Sequence, residues 1–116
     1  MGFDIYGLNP KNKEGEYFRN NVWWWRGIAV MVEQTCCDIL TEEQLEGLHM
    51  NNGIKYNEEL ASMVVEKLEE LMDEDWKFNA KVSVIKQELG QNYPFDKKNL
   101  HEFMEFCKSS GGFEIC

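Results

Sequence analysis

The feature that most constrains this chain is one run, Trp23-Trp24-Trp25 followed by Ile28-Ala29-Val30-Met31-Val32. Read as a helix from about Asn21 to Leu40, it carries apolar side chains on most faces, including Cys36, Ile39 and Leu40. A helix apolar all round sits at the centre of its fold. Three successive tryptophans point about 100° apart. One continuous core cannot take all three equally, so at least one indole is expected at a boundary, a pocket or an interface. Gly27 within the run permits a close helix crossing.

A central helix needs other elements to cover it. With 116 residues, 43% of them apolar, the chain suits one globular domain spanning residues 1–116. Gly2–Gly7 alternates briefly and reads as a strand, with a turn-rich loop over residues 8–15 and a polar-aromatic connector over 16–21. Thr41-Glu42-Glu43-Gln44 has the capping-box pattern and starts a short helix ending near Gly47. His49–Tyr56 reads as a loop around Asn51-Asn52-Gly53. Asn57 caps a third helix, whose stripe is Leu60, Met63, Val64, Leu68, Leu71 and Met72. Residues 76–89 carry a helical stripe of Trp76, Ala80 and Val84, extending to Ile85, although Lys81–Ile85 also reads as a strand. The Lys/Gln/Glu content favours the helix. After a loop over residues 90–95, Asp96 caps a last helix with Leu100, Phe103, Met104 and Cys107 on its apolar stripe. Ser109–Gly112 terminates it, and Phe113–Cys116 reads as a second strand. The expected class is α+β: a mostly helical single domain of four to five helices, with a small sheet formed by the N- and C-terminal strands. The two strands are expected to pair with each other or with one more short strand, and because a lone two-stranded ribbon is marginal, helices must cover it.

Charge narrows the partners. The formal net charge is −9. Acids crowd Glu58–Asp75 against a single base, Lys67, whereas Asn9–Arg26 carries Lys11, Lys13, Arg19 and Arg26 against Glu14 and Glu16. The overall sign argues against direct nucleic-acid binding, which needs clustered cations for phosphates. The local reversal leaves room for a small anionic ligand. The longest apolar stretch falls short of the roughly 20 residues that span a bilayer. With no basic-apolar leader at the start, cytoplasmic location is expected.

Four cysteines (Cys36, Cys37, Cys107, Cys116) and two histidines (His49, His101) show no paired metal-ligand spacing. Reduced thiols are expected, with no metal site and no cofactor. No nucleophile elbow, phosphate-binding glycine loop or HExxH motif is present. Enzymatic action is therefore disfavoured, and acid–base pairing of Asp4 or Glu114 with the third-helix acids is not fixed by spacing.

The block Tyr17–Arg26 suits recognition of planar or anionic groups by stacking, cation–π contact and bidentate hydrogen bonds. Arg19, Asn20, Trp24, Trp25 and Arg26 are the candidate ligand-binding residues. In the plainer alternative the aromatics are core, and Arg19 and Arg26 bridge acids of the Glu58–Asp75 helix. A competing function has that acidic helix present Glu66, Glu69 and Glu70 to a basic host protein such as a defence nuclease. Exposed aromatics leave a homo-oligomer open.

Met1-Gly2-Phe3-Asp4-Ile5-Tyr6-Gly7-Leu8-Asn9-Pro10 and Gly15-Glu16-Tyr17-Phe18-Arg19-Asn20-Asn21-Val22-Trp23-Trp24-Trp25-Arg26 resemble the start of a family of small uncharacterised bacteriophage and bacterial proteins. Asn51-Asn52-Gly53 resembles the family's middle loop. Tyr93-Pro94-Phe95, Asn99, Phe103 and Ser110-Gly111-Gly112-Phe113-Glu114-Ile115-Cys116 resemble its C-terminal motif. Longer relatives carry a cysteine-rich insert that this chain lacks, so no metal role carries over. The resemblance implies a phage context and names no activity. By analogy, small phage proteins without catalytic motifs bind host factors, which points to a non-enzymatic accessory protein in counter-defence that takes a small anionic or nucleotide-like ligand.

Overall fold

The computed structural model describes residues 2–90 and 92–116; Met1, and Gln91 within the expected 90–95 loop, lie outside the described residues. The elements in chain order are β1 (Gly2–Gly7), a 3₁₀ turn (Lys13–Gly15), β2 (Tyr17–Asn21), α1 (Val22–Cys36), α2 (Glu42–Gly47), β3 (Ile54–Asn57), α3 (Glu58–Met72), α4 (Asp75–Leu89), α5 (Lys97–Ser110) and β4 (Gly112–Ile115). The fold is α+β: among the described residues, five helices and one four-stranded antiparallel sheet, with α1, α2, α3 and α5 against the strands and α4 packed on α1 and α3.

The sheet order is β2-β1-β4-β3. The two terminal strands therefore pair with each other at its centre, Ile5 opposite Ile115 and Tyr6 opposite Glu114. The pairing extends through Asp4 and Cys116, which exchange backbone bonds of 3.1 and 2.7 Å. β2 and β3 were expected as connector and loop. β2 pairs with β1 in register, Asp4 opposite Arg19 and Phe3 opposite Asn20. β3 pairs with β4, Tyr56 opposite Phe113.

Strand alternation divides the sheet into two faces. Phe3, Ile5, Tyr56, Phe113 and Ile115 point inward and are buried. Tyr6, Tyr17, Arg19 and Lys55 point outward to solvent. The inner face meets an aromatic core. Trp25 stacks on Phe3 at 5.9 Å, and Phe103 meets Trp25, Phe18 and Phe113 edge-on at 5.4, 5.6 and 5.8 Å. α1 runs through the middle of the helical layer, with Gly27–Val32 wholly buried and α3 and α4 packed against it. The element approaching Gly27 is a loop rather than a crossing helix: a Cβ there would meet Phe95 at 2.8 Å and the Pro94 carbonyl at 3.2 Å.

Helix starts follow the expected caps. Asn57 accepts from the Leu60 N–H, Asp96 from the Asn99 N–H, and Thr41 and Gln44 form a reciprocal capping box. α1 ends at Cys36 rather than Leu40. Residues 75–89 are helical, but of the expected stripe Ile85 alone is buried. Phe78 and Ile85 are the buried positions, while Trp76 and Val84 stand among the exposed apolar side chains. α5 closes through Gly111 in the left-handed region (φ 67°). The Leu8–Lys11 loop docks there: the N–H groups of Leu8, Asn9 and Lys11 donate to the carbonyls of Gly112, Ser110 and Ser109.

Candidate binding site

The aromatic-arginine block straddles a strand and a helix, and this divides its side chains. On β2, alternation sends Arg19 outward and Asn20 inward. Arg19 lies across from Asp4 and pairs with it, Nε to Oδ1 at 3.2 Å. The Tyr17 hydroxyl donates to the same carboxylate. That bond, with burial and the carboxylate charge adding to it, holds the Tyr17 pKa above its ordinary value. Asp4 thus engages both groups on the open sheet face, and Arg19 does not reach the α3 acids.

On α1 the three indoles separate as helical geometry requires. Trp23 is exposed and packs against Tyr93 at 5.0 Å. Trp24 is half-buried. Trp25 is 0% exposed, and its Nε1–H donates to the Leu48 carbonyl at 2.7 Å. Trp25 is therefore a core residue, which corrects its assignment to the ligand-binding set. Arg26 is half-buried and, among the described residues, makes no ion pair.

Asn20 and Trp24 do come together. The first turns of α1 and α5 bound an open hollow of about 260 Å³, lined by Asn20, Trp24, Asp96, Lys98, Asn99 and Glu102. Its frame is held by a reciprocal amide pair: Asn20 Nδ2–H donates to Asn99 Oδ1 at 3.1 Å, and Asn99 Nδ2–H donates to Asn20 Oδ1 at 2.9 Å. Each helix start is capped, Asn21 accepting from the Trp24 N–H at 3.0 Å and Asp96 from the Asn99 N–H at 2.8 Å. The remaining first-turn N–H groups lack intrahelical acceptors, and both helix dipoles place partial positive charge there. Lys98 adds a cation, and Asp96 and Glu102 line the same hollow as two opposing carboxylates.

Lys98 and Asn99 were not foreseen as site residues. A signal existed: Lys97-Lys98 places two cations in the first turn of a helix, where the dipole favours acids. A larger neighbouring hollow, about 450 Å³, is lined by Tyr17, Phe18, Phe106 and His101 together with Glu14, Glu102 and Glu105. Three carboxylates make it hostile to an anion. Among the described residues, no group of three or more His, Cys, Asp or Glu is placed to hold a metal ion. The alternative interface residues Glu66, Glu69 and Glu70 are all exposed on α3. Glu69 there pairs with Lys108 at 3.1 Å.

Comparisons with family models, curated proteins and solved structures each returned no match. No helix among the described residues is long and apolar enough to cross a membrane.

Proposed function

We propose that this chain is a non-enzymatic phage accessory protein, acting in counter-defence in the host cytoplasm by holding a small anionic, nucleotide-like ligand. The observation that supports this reading is the hollow joining Asn20 and Trp24 of the aromatic-arginine block to Lys98 at two helix starts. Trp24 offers a ring face for a planar group. Lys98 and the free first-turn N–H groups address an anion. A volume of about 260 Å³ lies just below the roughly 300–1,000 Å³ of drug-sized sites, so the ligand is mononucleotide-sized or smaller, or extends into solvent. Arg19, tied to Asp4 on the open face, and Trp25, in the core, are outside this reading.

Native mass spectrometry of the protein purified from its host context tests it. A bound nucleotide-like mass is expected, lost in Trp24→Ala and Lys98→Glu variants that keep the parent's melting temperature. A bare mass, together with no melting shift on adding nucleotides, overturns it.

The exposure of Glu66, Glu69 and Glu70 on one helix supports a second reading, an acidic inhibitor of a basic host protein. It predicts a basic protein attached in the same spectrum, with salt-sensitive association abolished by charge reversal at the three acids.

A further inference from the structure

α4 has two apolar faces, and the core covers only one. Phe78 and Ile85 are buried. On the opposite side, Trp76, Ala80 and Val84 recur every four residues, and Trp76 is 70% exposed and Val84 40%. With Leu71 at the end of α3 they floor a groove of about 320 Å³, with Lys77 and Lys81 completing its wall. The groove shares no residue with the hollow described above.

Charge at this groove runs against that of the chain. The protein carries a net −9, and α3 exposes acids along its length, yet the charged residues lining the groove are both lysines. Lys77 pairs with Glu74 on its own helix at 3.4 Å. The Lys81 ammonium donates to the Gln34 carbonyl at 3.4 Å, and among the described residues it has no carboxylate partner. One helical turn apart, the two lysines stand on one side of the stripe and address carboxylates spaced one turn apart. An antiparallel pairing of two α4 helices would instead line up both copies' lysines along one seam, which repulsion opposes.

We infer that this groove is a docking site for an acidic amphipathic helix of a partner protein. Two turns of that helix lay apolar side chains on Trp76, Ala80 and Val84, and its glutamates or aspartates face Lys77 and Lys81. This is helix-in-groove recognition read as anchors at helical spacing, with Trp76 as the largest contact.

The test uses the full chain and a dye-labelled synthetic helix with leucines on one face and glutamates beside them, followed by anisotropy. A matched peptide with lysines for the glutamates is the control. Saturable binding of the glutamate peptide is expected, at least about tenfold tighter than its lysine counterpart. Trp76→Ser is expected to weaken it about tenfold with an unchanged circular dichroism spectrum. Lys77→Glu with Lys81→Glu is expected to reverse the preference between the peptides. No saturable binding, or equal affinity for both peptides, overturns the inference. So does sedimentation showing self-association that Trp76→Ser abolishes, or Trp76-dependent binding to phosphatidylglycerol vesicles in place of the peptide.

Discussion

The indole of Trp25 fills the space between the sheet and α5 and also satisfies the Leu48 carbonyl at the end of α2. Replacing it with Phe keeps a ring but removes the donor and leaves a void beside Phe3. The expected loss is about 2–4 kcal/mol of unfolding free energy in a denaturant titration, from the orphaned carbonyl and the cavity together. Cys36 gives a second prediction at this scale. Burial is the main cause that pushes its thiol from 9.0 up to about 12. The unfolded chain ionises first, so this contribution is intact below pH 9 and is lost as pH rises from about 9 toward 12. The ceiling on the slope from this group is about 1.4 kcal/mol per pH unit. Cys36→Ala should show a shallower alkaline decline in stability than the parent. An equal decline in both would place the alkaline sensitivity elsewhere, for example at Cys107 or Tyr56, whose pKa values burial also raises.

At the scale of elements, what could be read in advance was what is locally determined. Helix starts depend on a cap and the three residues after it, so Thr41, Asn57 and Asp96 marked α2, α3 and α5 correctly. β2 and β3 were missed because neighbours supply their evidence. In β2 the inward position Asn20 is polar, which breaks the alternation that identifies a strand. Its amide is tolerated inside because Asn99, 79 residues away, answers both of its hydrogen-bonding groups. In β3 only three residues, Ile54, Lys55 and Tyr56, separate a turn from the Asn57 cap. The outward turn of Trp76 and Val84 on α4 has a similar cause: Trp76 looks like a core anchor on hydrophobicity alone, and only packing shows that Phe78 joins Ile85 on the inner side. Gly111 is a position where element geometry demands one residue. Its φ is +67°, and a Cβ would lie 2.2 Å from the Asn9 carbonyl oxygen. Gly111→Ala should therefore lose more than the roughly 1 kcal/mol of an ordinary left-handed position, because the Leu8–Lys11 loop must also shift. Chemical denaturation measures the loss, and proteolysis within residues 8–15 reports the displaced loop.

For the whole molecule, composition and patterning were enough for the α+β class and for the joining of the terminal strands. They were not enough for the site, because Asn20 and Trp24 meet Lys98 only after the chain has folded. The strand–helix boundary at Asn21 also changes the direction of neighbouring side chains, which scatters a block that looks continuous in sequence. The sheet order makes a sharper prediction. β4 lies between β1 and β3, so a chain ending at Gly111 loses the strand that joins the two halves of the sheet, along with Phe113 and Ile115 from the core. Such a chain should give no cooperative thermal transition, whereas Cys116→Ser should melt close to the parent.

That arrangement also governs how the protein is made. The β1–β2 hairpin and the helices can form as they emerge from the ribosome, but the centre of the sheet closes only when β4 has followed them. Until residues 112–115 have cleared the exit tunnel, Phe3, Ile5 and Tyr56 lack the strand between them. The nascent chain therefore displays an apolar sheet seam until β4 arrives. The core of the sheet is complete only once β4 has emerged, and until then the chain is a natural client for holding chaperones.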